Sequence, residues 1–397
     1  MSNDVKEPRQ APASPPWLVP TAVYVHVPFC AHRCCYCDFA TVAGQDDLRD
    51  RYLDALEREI AGIGSPQPAR TLFIGGGTPT HLTHLQLERL LEIVRRWFVL
   101  RPDYEWTVEA NPGTLDAAKV NLLADFGVNR VSLGAQSFHS PLLRFLERNH
   151  GPKEIHDAVR LVRRRIENIS LDLIFAIPGQ ELSTWKRDLH DALALGPKHL
   201  STYGLTYEKG TPLWKNLQRG KVRPVAEELE QAMYEAAMDT LTEAGFEHYE
   251  ISNFAQPGHA CRHNLVYWAN HAYWGFGLGA AAYVNGVRSV NTRDLAAYLR
   301  LVESGQPPRQ SEERLSDLER AGETAMLQIR RGIGIVRESF AEQTGYDLDA
   351  LFGETVCRHV ESGLLEDPGP SIRLTRKGKL LADLVAADFV YLHRLGH

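Results

Sequence analysis

The chain contains no apolar run of the roughly 18 residues that a membrane-spanning helix requires, and its opening, MSNDVKEPRQAPASPPWLVP, is polar and proline-rich where a secretion signal would be hydrophobic. Both absences point to a cytoplasmic protein without a transmembrane segment. Cysteine is scarce, with six in 397 residues, so the fold is not a disulfide-stapled scaffold. In a reducing compartment a group of cysteines signals metal more often than disulfide. Charge of one sign is also lacking: the net charge of -6 gives no bulk attraction to nucleic acid or anionic lipid. There is no low-complexity tract beyond the N-terminus. What is present is length and 44% hydrophobic residues, enough for one large α/β domain with a smaller companion.

Short β-branched or aromatic runs recur through the first half, at AVYVHV, TLFIGG, WTVEAN, RVSLGAQ, ISLDLIFAIP and HLSTYGLTY, with amphipathic helical text between them. Parallel strands joined by helices close into a barrel or open into a doubly wound sheet. In either case ligands gather at the carboxyl ends of the strands. Residues 1–20 read as a flexible N-terminus and 21–245 as the α/β core, with a long helical segment near 224–243. Residues 246–310, including FEHYEISNFA, CRHNLVYW and WGFGLGAAAYVNG, read as sheet extension and covering loops. Residues 311–397 read as a small, mainly helical, winged-helix-like domain with a short SIRLT strand and a last helix, KGKLLADLVAADFVYL. That domain holds 11 Lys and Arg against 15 Asp and Glu, a balance of -4. Packing or protein contact is therefore expected there, and no nucleic acid.

Four of the six cysteines fall within eight residues of YVHVPFCAHRCCYCDF. Cys30, Cys34 and Cys37 form C-x3-C-x2-C on one short loop, which can wrap three thiolates around one face of a cuboidal iron-sulfur cluster. Zinc is the rival, but a closed zinc site takes four ligands, commonly as two separated pairs. Cys35 adjoins Cys34 and would strain the loop to reach the same ion. GGGTPT closes the second run, where glycines let backbone groups approach a ligand. EANP, GAQSF and LDLIFAIPG each set one polar side chain in apolar strand text, where an unpartnered group costs a few kcal/mol.

This cysteine spacing, with the aromatic Tyr36 just before the last thiol, resembles the signature of the radical S-adenosylmethionine superfamily. The resemblance implies a partial (β/α)6 barrel and a 4Fe-4S cluster on Cys30, Cys34 and Cys37. It also implies that the fourth iron binds the amino and carboxylate groups of S-adenosylmethionine, whose reductive cleavage can yield a 5'-deoxyadenosyl radical.

YVHVPFC, GGGTPT, EANPGT, GVNRVSLGAQSF, LDLIFAIPGQ and HNLVYW narrow the resemblance to the branch of oxygen-independent coproporphyrinogen III oxidase and the haem chaperones. Carried over position by position, Tyr24, Tyr36, Gly76, Gly77, Thr78, Glu109, Gln136, Arg148, Asp172 and Ile174 match residues that contact S-adenosylmethionine; Arg148 rests on its spacing of twelve after Gln136. The element His263, Asn264, Tyr267 and Trp268 matches the H-N-x-x-Y-W pattern associated with haem, with Cys261 a secondary candidate. A lone histidine in an aromatic run is by default a packed core residue, yet neutral imidazole is also a standard axial ligand of haem iron.

Two features favour the chaperone over the oxidase. Phe39 stands where the oxidase pattern has a further cysteine, and HNLVYW matches the haem-associated element of the chaperones; with only about 20 polar residues before the first strand, the oxidase's longer N-terminal extension also reads as absent. One feature departs from relatives, since Ala281 and Ala282 replace the polar pair of a GAHSY loop. The implied partners are haem, acceptor haemoproteins such as membrane respiratory proteins, and an electron donor for the cluster. Catalysis would be secondary or absent. The alternative is oxidative decarboxylation of the propionates of coproporphyrinogen III through the adenosyl radical.

Overall fold

The computed structural model describes residues 15–390. Six parallel strands form its centre: β1 (Ala22–Val27), β2 (Gln67–Gly76), β3 (Phe98–Ala110), β4 (Arg130–Gln136), β5 (Asn168–Phe175) and β6 (His199–Gly204). They lie side by side in chain order, with helices between them: α1 (Arg49–Ala61), α2 (His84–Trp97), α3 (Ala117–Phe126), α4 (Pro152–Arg163) and α5 (Leu182–Ala194). A further helix, α6 (Glu227–Glu243), follows the sixth strand. The six runs read from the sequence are these six strands, and strand order following chain order is the arrangement of a partial barrel rather than a doubly wound sheet.

Alternation along each strand divides the sheet into two faces. Val23, Val25, Leu72, Ile74, Trp106, Val108, Val131, Leu133, Leu171 and Leu173 point one way into the main apolar core, packed by the helices. The other face carries Tyr24, Phe73, Glu109, Ser132, Asp172 and Ser201, joined row by row through the register pairs Tyr24–Phe73, Glu109–Ser132 and Asp172–Ser201. A polar row of this kind requires a ligand or internal partners.

The sheet is extended at both margins into twelve strands. Residues 273–276, 281–284, 287–291 and 309–313 add beyond β1, and 253–255 and 247–248 add beyond β6. The CRHNLVYW segment is not sheet or loop: Arg262–Trp268 is a helix, α7. Ala281 and Ala282 lie in an extension strand, opposite Val290 and Ser289. Gly275 in the neighbouring strand has to be glycine, because a Cβ would sit 1.7 Å from the Ala281 carbonyl oxygen.

A second core, built from Ala321, Ile329, Ile335, Phe340, Phe352, Ile372, Phe389 and their neighbours, belongs to the C-terminal region. Its three strands, 335–336, 371–374 and 365–366, form a small antiparallel sheet beside helices. The anticipated single last helix is broken at Leu381 into Arg376–Leu380 and Ala382–Ala387. Its final residues, with most of the segment read as a flexible N-terminus, lie outside the described part. This region grips the end of α7. Gln343 Nε2 donates to the Ala269 and Asn270 carbonyls at 3.0 and 3.1 Å, and the Arg330 guanidinium lies 5.8 Å over the Trp268 ring. Among the described residues no helix is long and apolar enough to cross a membrane.

Candidate cofactor site

A cavity of about 500 Å³ opens at the carboxyl ends of the barrel strands. Three thiols reach it from the loop after β1: Cys30, Cys34 and Cys37 all line the cavity, as does Tyr36. The loop is shaped by its backbone, with Cys37 N–H donating to the Cys34 carbonyl at 3.2 Å. Cys35 turns away, buried against Leu142, Ile174 and Leu213, with its thiol 3.5 Å from the Phe145 carbonyl. Cys35 therefore does not line the cavity.

Two donors already face the sulfurs. Arg148 Nη1 lies 3.6 Å from Cys34 Sγ and Thr78 Oγ1 lies 3.7 Å from Cys30 Sγ. Burial raises the Cys30 thiol to about 11 and also raises Cys37, so both are neutral at pH 7 until a cation compensates them. Among the described residues no three side chains converge on a position for a single metal ion. Cys30, Cys34 and Cys37 share one cavity, with the Arg148 guanidinium beside Cys34 able to balance charge on a group that they hold. The donor set fits the cluster implied by the sequence.

Beside the thiols, Gly76 and Gly77 bring backbone to the cavity wall, where side chains cannot go. A Cβ on Gly76, whose φ is +111°, would meet the His26 ring at 2.5 Å, and one on Gly77 would meet the Pro28 carbonyl at 2.7 Å. Gly76 N–H donates to Glu109 Oε2 at 2.9 Å. Burial, and next the Asp172 charge, push the Glu109 carboxyl up to about 7. Asp172 is raised too, chiefly by burial, although Ser201 donates to it at 2.8 Å and Ser132 at 3.1 Å. Both carboxyls stay raised although the buried Arg130 acts on each from the same sheet, so two buried carboxylates facing one cavity suit a positively charged ligand. Arg148 contributes an unpartnered Nε on the same wall. A ligand with an ammonium or sulfonium and a carboxylate, as S-adenosylmethionine has, meets both needs.

Of the residues expected to contact that ligand, Tyr36, Gly76, Gly77, Thr78, Glu109, Gln136, Arg148, Asp172 and Ile174 line the cavity together. Tyr24 does not. Its hydroxyl bonds His26 Nδ1 at 3.0 Å, and His26 Nε2 reaches the Ala40 carbonyl at 2.9 Å, so the pair ties β1 to the end of the cysteine loop from beneath. Sequence reasoning missed Ser132 and Tyr203, which also line the cavity. The period-two alternation that places Glu109 and Asp172 would have found both. Phe39 lies on the cavity rim and is 62% exposed.

The histidine element lies elsewhere. His263 is buried on the same sheet face as Glu109, toward the amino ends of the strands, and is not part of the cavity. Its Nδ1 pairs with Thr71 Oγ1 at 2.9 Å and its Nε2 with the Tyr267 hydroxyl at 2.7 Å, while the ring stacks on Phe73. Burial lowers its pKa to about 3, so it is neutral. Both imidazole nitrogens are engaged, so a metal would reach His263 only in exchange for the Thr71 or Tyr267 bond. Tyr267 is spent on His263, Trp268 faces Arg330, and Asn264 is half-buried on α7. Cys261 is buried against Glu105, 3.6 Å from its Oε1. The same Glu105 carboxylate accepts the Arg262 and His263 N–H groups at 3.1 Å each, capping α7 at its start. Ala281 and Ala282 line no part of the cofactor cavity.

A cysteine loop closing the carboxyl ends of six parallel strands defines a class, and residues 24–192 match the Radical SAM superfamily model. Residues 315–381 match the HemN C-terminal domain. Along nearly its whole length the chain is similar to curated relatives. It is 40% identical to the "Heme chaperone HemW" of Bacillus subtilis, covering 93% of this chain and 99% of that one. It is 35% identical to the protein of the same name from Mycobacterium tuberculosis, covering 95% and 98%. The chain belongs to the HemW family of the radical S-adenosylmethionine superfamily. The fold is shared with the Escherichia coli coproporphyrinogen III oxidase structure, with a TM-score of 0.82 at 22% identity, covering 94% of this chain and 91% of the other.

Proposed function

We propose that this protein is a cytoplasmic haem chaperone. It carries a 4Fe-4S cluster and S-adenosylmethionine at the barrel mouth, binds haem, and passes it to acceptor haemoproteins, membrane respiratory proteins among them. The observation that carries this reading is the end-to-end similarity to curated haem chaperones, 99% of the Bacillus subtilis protein being covered. Phe39 at the rim, where the oxidase has a further thiol, supports the same choice.

Cys30, Cys34 and Cys37 would hold the cluster, which when bound supplies a coordination position and an electron to S-adenosylmethionine. The chain's own residues do the rest. Glu109 and Asp172 receive the ligand's positive charge, and displacement of a proton from Glu109 accompanies binding near neutral pH. Gly76 and Gly77 offer backbone groups, Arg148 balances the sulfur charge beside Cys34, and Tyr36 and Ile174 exclude water. An electron donor would approach the exposed Ala31–Arg33 side of the cysteine loop. Haem would engage the segment from His263 to Trp268 once the Thr71 and Tyr267 bonds to His263 are released.

Anaerobic incubation of reconstituted protein with S-adenosylmethionine, a reductant and coproporphyrinogen III tests the assignment. No protoporphyrinogen IX is expected, together with haem transfer to an apo-haemoprotein. Conversion of the porphyrinogen would replace the chaperone reading with the oxidase.

A further inference from the structure

We propose that Asp188 is a positioning residue for S-adenosylmethionine, acting through Gln136: its carboxylate clamps the backbone just past Gln136 and holds that residue in a left-handed turn aimed into the cofactor cavity. The inference rests on the reading that Gln136 meets S-adenosylmethionine. Nothing in the family signature includes Asp188, which lies in the middle of α5 and does not line the cavity.

The turn is unusual. Gln136, the last residue of β4, has φ of +67°, a conformation rare for residues with a side chain of this kind. Across it the Ser137 N–H donates to the Ala135 carbonyl at 2.9 Å, closing a three-residue turn in the strained of its two forms. Such a turn persists only where its surroundings over-determine it. On one side stands Gly134, where an added Cβ would lie 2.9 Å from Gln136 Nε2, so the Gln136 side chain lies back across bare backbone next to Arg148. Arg148 Nη2 donates to the Gly134 carbonyl at 3.0 Å.

On the other side stands Asp188. The Phe138 N–H donates to its Oδ1 at 2.7 Å and the Ser137 hydroxyl to its Oδ2 at 2.8 Å, and the Ser137 oxygen in turn accepts the His139 N–H at 3.0 Å. Asp188 is 2% exposed. An apolar residue would join helix to strand at less desolvation cost. A carboxylate adds two directional acceptors that fix the orientation of the two peptide units after Gln136.

The test uses the full chain, reconstituted anaerobically, with S-adenosylmethionine affinity measured by calorimetry for wild type, Asp188→Ala, Asp188→Asn, Gln136→Ala and the double variant Gln136→Ala/Asp188→Ala. Asp188→Ala is expected to weaken binding about ten- to hundredfold, with iron content and the cluster's absorption spectrum unchanged. Asp188→Asn keeps an acceptor for the Phe138 N–H and should recover most of the affinity. In the Gln136→Ala background, loss of Asp188 should add nothing. Unchanged affinity in Asp188→Ala, or full additivity in the double variant, overturns the clamp. Should Asp188→Ala fail to fold, the same cycle run with Asp188→Leu, which fills the space but removes both acceptors, decides the question, since full additivity there overturns it equally. A wild type that does not bind S-adenosylmethionine overturns the reading of the cavity and the clamp with it, whereas a Gln136→Ala defect without an Asp188 defect overturns the clamp alone.

Discussion

The two ends of one sheet face are built on opposite rules. At the carboxyl ends of the strands, polar groups stand around an open cavity without enough partners: Glu109 and Asp172 face each other's charge, and Arg148 keeps an unpaired Nε. Toward the amino ends the same face is closed. There α7 lies on it, Glu105 caps the helix, and His263 spends both nitrogens on Thr71 and Tyr267. The first arrangement carries its electrostatic cost until a ligand arrives. The second has already met its needs internally, so any ligand must compete with bonds in place. An open cavity with unmet charge suits a resident ligand, whereas a closed face admits a ligand only in exchange for its own bonds.

The largest effect expected at the open end is all-or-none. Cys30→Ser, Cys34→Ser or Cys37→Ser should each abolish cluster assembly, read as iron and sulfide content, while Cys35→Ser should leave it intact. Loss of the cluster in Cys35→Ser alone would reassign the ligand set. At the closed end, Glu105→Ala removes the α7 cap and leaves Asp172 as the carboxylate nearest the buried Arg130. Leaving the capped N–H groups unpartnered costs about 3 kcal/mol, checked by denaturant unfolding of the apoprotein.

The open end should respond in the other direction. Glu109→Gln removes a buried charge that the Gly76 N–H and Arg130 relieve only in part, and should stabilise the apoprotein by about 2 kcal/mol at pH 8 while weakening S-adenosylmethionine binding. Because the folded-state pKa is raised to about 7 from 4.5, the penalty is full above pH 7 and gone below 4.5. The stability difference between variant and wild type should therefore grow as pH rises through that window. A difference independent of pH would show that Glu109 carries no such penalty. The smallest expected change is kinetic: Tyr267→Phe frees His263 Nε2 and should speed haem association several-fold without greatly changing stability, followed by stopped-flow absorption. An unchanged rate would mean that the Tyr267 bond is not part of the barrier.

How far the sequence revealed these two regions follows from how local each one is. The cysteine loop is contiguous, and the glycines and polar residues that complete the cavity all fall at strand ends, where the βα rhythm marks their place. Nine of the ten residues expected to contact S-adenosylmethionine line one cavity. Tyr24 stands a layer beneath, because its position on β1 is one residue pair short of the strand end. The closed region depends on partners distant in the chain. Glu105 meets His263 across 158 positions, and Gln343 meets Asn270 across 73. A seven-residue helix such as α7 gives too few turns for periodicity to separate it from a strand. Asp188 was silent for the same reason, 50 residues from the Phe138 N–H that it accepts. The break at Leu381 leaves no mark in the surrounding text, which reads as continuous helix.

The measurement that tests the central claim most directly is a haem titration of reconstituted wild type against His263→Ala, followed by absorption spectroscopy. Wild type should bind haem with an imidazole-ligand spectrum, and His263→Ala should lose that spectrum and at least tenfold in affinity. Identical spectra and affinities in the two proteins would contradict the account of α7 as the haem-bearing element.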